Sequence, residues 1–181
     1  MRLLASALAI AALVSPFSHG AWASQAISSE PVRITRPQLI RIVPMPLDNA
    51  LELFRAACIE TFPDPSAFDH AVETLDMGFE RSTDVAPGTR QWREGERYFT
   101  LETASGRQGC SFRVAVTERF SRPELIMRIG TAVAPDQAVT DRTFFAYWDL
   151  GQTGCRIEYL PASEDSRVFT LMLRAGERGD C

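Results

Sequence analysis

The hydrophobic pattern of this chain changes its period along the sequence, and this change restricts the fold more than any other feature. Between residues 48 and 78, apolar side chains recur every three or four positions, as on one face of a helix. From residue 97 they alternate, as in strands with one buried face, and a helical spacing returns near residue 121. The pattern predicts an α+β fold, with an antiparallel sheet of about five to six strands and helices packed mainly on one face.

Two helices are predicted ahead of the first strand. The first covers residues 48–62, with Asp48 as its N-cap and Pro63 as its stop, and it carries Cys58 on its apolar stripe. The second is capped by Asp64 and ends at the glycine at position 78. Both helices therefore turn one apolar side toward the predicted sheet.

Alternating segments predict the strands, and two of them start with a cysteine after similar loops. Residues 106–110 and 151–155 both read G-x-x-G-C. This match suggests two tandem halves, each a helix followed by strands, that share one sheet; a chance similarity between two glycine-rich hairpin loops is the alternative. The predicted strands cover residues 97–103, 110–117, 142–150, 155–161 and 167–174.

The amino terminus has the layout of a secretory signal. Arg2 precedes an apolar run over residues 3–14, and small residues lead up to a cleavage site between Ala23 and Ser24. The run is shorter than the roughly 20 residues that a membrane span needs, so we expect a periplasmic or secreted protein without membrane insertion. The expected organisation is a cleavable signal peptide over residues 1–23, an extended proline-rich arm over 24–46 and a single α+β globular domain over 47–181.

The charge balance argues against a nucleic-acid partner. The chain has a formal net charge of −4, and loss of the signal with Arg2 makes it one unit more negative. Nucleic-acid-binding proteins are usually basic, so this class is not expected. Every basic side chain is an arginine, which excludes mechanisms that need a lysine.

Four cysteines in an exported chain predict two disulfides. Cys58 projects from a helix toward the sheet, and Cys110 and Cys155 project from strands toward the helices. The end of the last strand brings Cys181 back toward the start of the Cys155 strand. We therefore favour Cys58 with Cys110 and Cys155 with Cys181. No C-x-x-C pair is present, so neither a zinc site nor a redox motif is expected.

Few side chains offer catalytic chemistry, and no catalytic residue, metal site or cofactor is assigned. After signal removal His70 is the sole histidine, and the helical pattern places it on a charged, solvated face. Paired carboxylates occur as Glu94 with Glu96 and as Glu164 with Asp165, both in predicted turns, where acidic residues normally serve solvation.

The remaining candidate is a surface of the sheet. Arg113 and Arg156 are expected at matching positions on the outward faces of two strands, joined by Tyr98 and also by Arg97 and Glu158. Arginine and aromatic side chains often anchor protein contacts, although cross-strand Arg–Glu pairs on a solvated face are the simpler interpretation. The hypothesis is an exported, non-catalytic binding or envelope-accessory module for an envelope protein or a small ligand. The alternative is a small extracytoplasmic hydrolase that uses carboxylates or a serine with His70.

Overall fold

The computed structural model describes residues 43–104, 108–151, 154–162, 167–176 and residue 181. The predicted signal peptide and most of the predicted arm lie outside these residues. Of the arm, Met45 is described, and it forms a parallel bridge with Val116 at the end of a central strand.

The described residues form an α+β fold in which each group of helices is followed by a run of four strands. The helices are α1 (Leu47–Phe54), continued by a π-helical turn (Arg55–Ile59), α2 (Pro65–Thr74) and α3 (Arg122–Val133). The strands are β1 (Glu80–Arg81), β2 (Thr89–Glu94), β3 (Arg97–Glu102), β4 (Gly109–Ala115), β5 (Val139–Asp141), β6 (Ala146–Asp149), β7 (Arg156–Pro161) and β8 (Val168–Arg174).

The strands form one open antiparallel sheet in the order β1-β2-β3-β4-β8-β7-β6-β5. The prediction of five to six strands was too low, because the sheet has eight strands within the described residues. Both edge strands are only two or three residues long and lack an alternating apolar pattern, and β2 has Trp92 as its single buried residue. Hydrophobic alternation therefore gave no signal for these three strands.

The strand order divides the sheet into two halves of the same plan. The first half is β1–β4, preceded by α1 and α2, and the second is β5–β8, preceded by α3. Their last strands, β4 and β8, pair at the centre of the sheet. The two G-x-x-G-C loops are not equivalent in this plan, because the first precedes β4, the last strand of its half, whereas the second precedes β7.

The start of the first helix differs from the prediction. It begins at Leu47, directly after Pro46, and Asp48 lies inside its first turn rather than at the N-cap. The Leu47 N–H donates to the Glu118 carboxylate, at 3.3 and 3.1 Å from its two oxygens. A side chain 71 positions away therefore does the capping, and the α-helix changes to the π-helical turn after Phe54.

The second helix starts as predicted and ends early. The Asp64 carboxylate accepts from the N–H groups of Ser66 and Ala67, at 2.8 and 3.2 Å. The helix stops at Thr74, and the chain turns over the next residues before Gly78, whose φ is +74°. Glycine adopts this left-handed conformation without steric cost.

All three helices contact the same face of the sheet. α2 reaches it where Asp69 accepts the indole N–H of Trp92 at 2.8 Å, and α3 reaches it where Gly130 packs against Trp148. The register places Trp92 and Trp148 on the same side as the fully buried Phe99 and Phe112, whose rings stack at 4.0 Å. Each such buried phenylalanine contributes roughly 1.5–3 kcal/mol of transfer free energy.

Two disulfides cross-link the fold, and they are the two favoured pairs. Cys58 in the π-helical turn is bonded to Cys110 in β4, with a Cα–Cα distance of 5.4 Å. Cys155, just before β7, is bonded to Cys181 with a Cα–Cα distance of 5.5 Å. The first bond joins the helix layer to the sheet, and the second holds the last residue against the sheet.

Candidate binding surface

The side of the sheet turned away from the helices is polar and partly exposed, and we call it the outer face. On the helix side, the residues of β3, β4 and β8 alternate with these and are buried. The outer face includes Gln91, Arg93, Tyr98, Thr100, Ser111, Arg113, Tyr147, Arg156, Glu158, Thr170, Met172 and Arg174.

Two of the predicted binding residues are neighbours on the outer face. Tyr98 lies directly opposite Arg113, and on its other side it lies opposite Arg93. The Arg93 guanidinium carbon is 5.9 Å from the centre of the Tyr98 ring, within the range of a cation–π contact. Arg113 forms no ion pair with any residue that the structure describes. The outer face therefore carries an Arg–Tyr–Arg row, and neither of its arginines forms an ion pair with a described residue.

The third candidate, Arg156, lies elsewhere, so its predicted match with Arg113 was wrong. Arg113 is opposite Thr170 of β8, whereas Arg156 is opposite Arg174. Four residues of strand separate these rows, which is about 14 Å at 3.4 Å per residue. Both arginines follow a G-x-x-G-C loop in sequence. The first loop, however, leads into the fourth strand of its half, and the second leads into the third strand of its half.

Arg156 is also neutralised, in contrast to Arg113. Its Nε lies 2.7 Å from Glu158 Oε1, and Arg174 reaches the two oxygens of the same carboxylate at 3.1 and 3.2 Å. The Glu158 side chain is only 7% exposed. The Arg156 guanidinium also lies 5.5 Å from the centre of the Tyr147 ring. Burial of one carboxylate between two arginines makes this cluster a cross-strand brace of the sheet.

Arg97 was expected on the outer face but lies on the helix side. It precedes Tyr98 directly, and consecutive strand residues point to opposite faces. Its side chain is 7% exposed, forms an ion pair with Glu94 and has its guanidinium carbon 5.8 Å from the centre of the Phe79 ring. An aromatic ring and a carboxylate take the place of water around this arginine. Arginine is usually exposed, so the residue type alone does not predict this burial.

A shallow concavity of about 390 Å³ lies on the outer face beside the Arg–Tyr–Arg row. Its floor is low because Gly109 and Ser111 are small, and Gly109 has no room for a side chain: a Cβ there would lie 2.8 Å from the Leu173 carbonyl oxygen. The lining is mostly polar and consists of Thr100, Glu102, Gln108, Gly109, Ser111, Met172 and Arg174.

The residues considered for catalysis do not assemble into one site. His70 is exposed on α2, and no hydroxyl or carboxylate of the described residues is hydrogen-bonded to it. Glu94 is paired with Arg97 and Glu96 lies in the β2–β3 turn. Glu164 and Asp165 lie outside the described residues. Within residues 43–181, as far as the structure describes them, no group of three or more metal-ligating side chains occurs.

Asp69, next to His70, has a structural role that the sequence did not indicate. The Asp69 side chain is only 17% exposed. Besides the Trp92 indole it contacts Arg81 at 3.4 Å and Arg90 at 3.5 Å. Its carboxylate therefore fastens α2 to β1 and β2.

The Glu118 carboxyl is held in its charged form by its surroundings. Burial raises the pKa of its carboxyl. The opposite effect is larger: the pKa is lowered by hydrogen bonds from its own backbone, from the Thr117 hydroxyl and from the Leu47 N–H, and by the charge of Arg128. The net effect is a pKa below the ordinary value of 4.5. The charged form is therefore the one that caps α1.

Arg93 and Arg174 belong to the outer face but were not among the predicted site residues. Arg93 lies in β2, which the alternation did not reveal. Arg174 could have been found, because it follows Leu173 in a predicted strand and must point the opposite way.

A comparison with protein-family models found no match for this chain, and neither did comparisons with curated proteins or with solved structures. No helix among residues 43–104, 108–151 and the later described segments is long and apolar enough to span a membrane.

Proposed function

We propose that this protein is an exported, non-catalytic binding module that contacts an acidic surface of an envelope protein through the outer face of its sheet. The predicted signal peptide supports export, and the two disulfides are compatible with an oxidising compartment.

The observation that carries this proposal is the contrast between Arg113 and Arg156. Arg156 shares the Glu158 carboxylate with Arg174, whereas Arg113 has no carboxylate among the described residues. An arginine beside an aromatic ring on a sheet face is a typical anchor for a partner's carboxylate. The row of Arg93, Tyr98 and Arg113 is therefore the proposed contact.

Affinity capture from the envelope fraction of the producing cells tests this contact. We expect one partner to be retained by the wild type and lost with Arg113→Glu, with an affinity decrease of about tenfold or more. Arg55→Glu is the matched control, because Arg55 lies in the π-helical turn on the helix side and the charge change is identical. Capture that Arg113→Glu leaves unchanged would contradict the proposal.

Arg156→Glu separates binding from stability. This variant places a second carboxylate next to that of Glu158, so we expect a less stable sheet and a smaller effect on partner capture than Arg113→Glu has. Equal effects of both variants, at equal stability, would instead assign the contact to the whole outer face.

A small polar ligand is a second candidate, favoured by the concavity beside the row. Its volume of about 390 Å³ lies within the usual range of ligand pockets. Binding in this concavity would be blocked by Ser111→Leu, which fills it, and would tolerate Arg113→Glu. The hydrolase alternative stays a prediction of the sequence, since no contact among the described residues favours it.

A further inference from the structure

A second surface lies at the opposite end of the fold, between α3 and the edge strand β5. It is a groove of about 410 Å³. Its apolar lining includes Ile126 and Met127 of α3, Val139 of β5 and Trp148 of β6. Met127 and Val139 are 63% and 44% exposed, which is unusual for large apolar side chains that line the same groove.

The backbone of β5 offers hydrogen-bonding groups along this groove. The Arg142 N–H donates to the Phe145 carbonyl at 2.8 Å across the β5–β6 turn. In an antiparallel pair the hydrogen-bonded positions alternate, so Thr140 bonds to Tyr147, and the N–H and C=O groups of Val139 and Asp141 point away from β6. No described strand pairs with this edge of β5.

The side chains at the same edge define the chemistry of an added strand. Val139 and Asp141 share the helix side of the sheet with Trp148. A residue paired with Val139 would place its side chain over the apolar lining of the groove. A residue paired with Asp141 would face a carboxylate whose Oδ1 already accepts from Arg122 at 2.6 Å. Its Oδ2 has no partner among the described residues and can accept from a second basic side chain, as the Glu158 carboxylate does between Arg156 and Arg174. Asp136 adds a second carboxylate at the rim, and it has no ion pair with any described residue.

We propose that this groove binds an extended peptide segment of a partner protein by strand addition to β5. The segment carries an apolar residue opposite Val139 and, two positions away, a basic residue opposite Asp141. Backbone hydrogen bonds give such contacts their affinity, and alternate side chains give them their specificity. This surface is separate from the Arg–Tyr–Arg row, so either proposal can fail without the other.

A pair of synthetic peptides tests the proposal with the chain from residue 24 to residue 181. The first is acetyl-Thr-Val-Thr-Arg-Thr-Val-Thr-amide, and the second has glutamate in place of arginine. We expect the wild type to prefer the arginine peptide by about fivefold, and Asp141→Lys to reverse that preference. Binding of neither peptide at millimolar concentration, or a preference that Asp141→Lys leaves unchanged, overturns the proposal.

Hydrogen exchange of single amides shows whether the peptide adds a strand. The amides of Val139 and Asp141 should exchange rapidly in the free protein and at least about tenfold more slowly with the arginine peptide. The Thr140 amide, which bonds to Tyr147, is the internal control and should be protected in both states. Peptide binding that leaves the Val139 and Asp141 amides unprotected contradicts strand addition.

The same measurement separates a partner from the chain itself. If the two amides are already protected in the monomeric free protein, a segment of this chain covers the edge and the partner assignment is wrong. If their protection rises with protein concentration and light scattering shows a dimer, a second copy is the occupant, which also overturns it. Val139→Pro removes one of these amides and should weaken the arginine peptide at least about fivefold, with Trp148 fluorescence as the check on folding.

Discussion

The two halves of the sheet share a strand plan but differ in how their helix side is covered. In the first half, α1, the π-helical turn and α2 cover β2–β4, and the Cys58–Cys110 bond joins this cover to the sheet. In the second half α3 is the one helix that precedes the strands, and the groove beside it leaves Met127 and Val139 exposed. The same four-strand meander is therefore covered and cross-linked in one half, and leaves an accessible surface in the other.

Removal of each disulfide should have the largest effect on the difference between the two halves. The bonded cysteines are 52 positions apart in the first half and 26 apart in the second. Loop-closure entropy alone predicts losses of about 4 and about 3.5 kcal/mol for the two double cysteine-to-alanine variants. Cys58 and Cys110 are both fully buried, so their removal leaves a gap at two core positions, whereas in the second pair Cys155 is buried and Cys181 is exposed.

Urea unfolding of both double variants measures the difference. We expect Cys58→Ala with Cys110→Ala to lose more stability than Cys155→Ala with Cys181→Ala, by about 1 kcal/mol or more once the gap is included. An equal or larger loss for the second pair would show that the last residue, rather than the helix cover, holds the fold together.

Gly130→Ala measures how tightly α3 packs on the sheet in the second half. A Cβ at this position would lie 2.7 Å from Nε1 of Trp148, whose buried ring has little room to move. Alanine favours a helix by about 1 kcal/mol over glycine, but overpacking costs about 1–3 kcal/mol, so we expect a net loss of roughly 1 kcal/mol.

Thr131→Ala is the matched control for this helix, because Thr131 is exposed and its neighbour is Gly130. Thermal unfolding should show an unchanged or slightly higher midpoint for Thr131→Ala and a lower one for Gly130→Ala. A stabilised Gly130→Ala variant would mean that α3 shifts away from Trp148 easily, and that the second half is more loosely packed than its geometry indicates.

Features governed by local sequence were predictable, and those governed by distant contacts were not. Asp64 caps α2 through its own neighbours, and the alternation in β3, β4 and β8 marks their buried faces. The start of α1 depends on Glu118, which no local signal reveals. The edge strands owe their pairing to neighbours rather than to their own composition.

The candidate site shows the same limit. Tyr98 and Arg113 were predicted, and the structure brings them together. Arg156 was misplaced because the register between strands decides which residues lie opposite each other, and the hydrophobic pattern of a single strand does not reveal that register. Arg97 was misplaced because Phe79 and Glu94 create a buried environment that suits its charge.

Glu118 gives the smallest expected effect, and it tests the connection between the two halves. It lies between β4 and α3, at the passage from the first half to the second, and holds the first N–H of α1. Because its folded pKa lies below the ordinary value, its contribution to stability is present above the unfolded pKa and is lost as the pH falls through the folded one. Glu118→Gln should therefore be less stable than the wild type at neutral pH, with a gap in unfolding free energy that narrows as the pH falls below the ordinary value of 4.5. Glu52→Gln, an exposed change on the same helix, is the control for the loss of one negative charge. If Glu118→Gln remains equally less stable than the wild type in acid, the charge of Glu118 does not contribute to its hydrogen bonds with Leu47. The cap of α1 is then not a pH-dependent link between the halves.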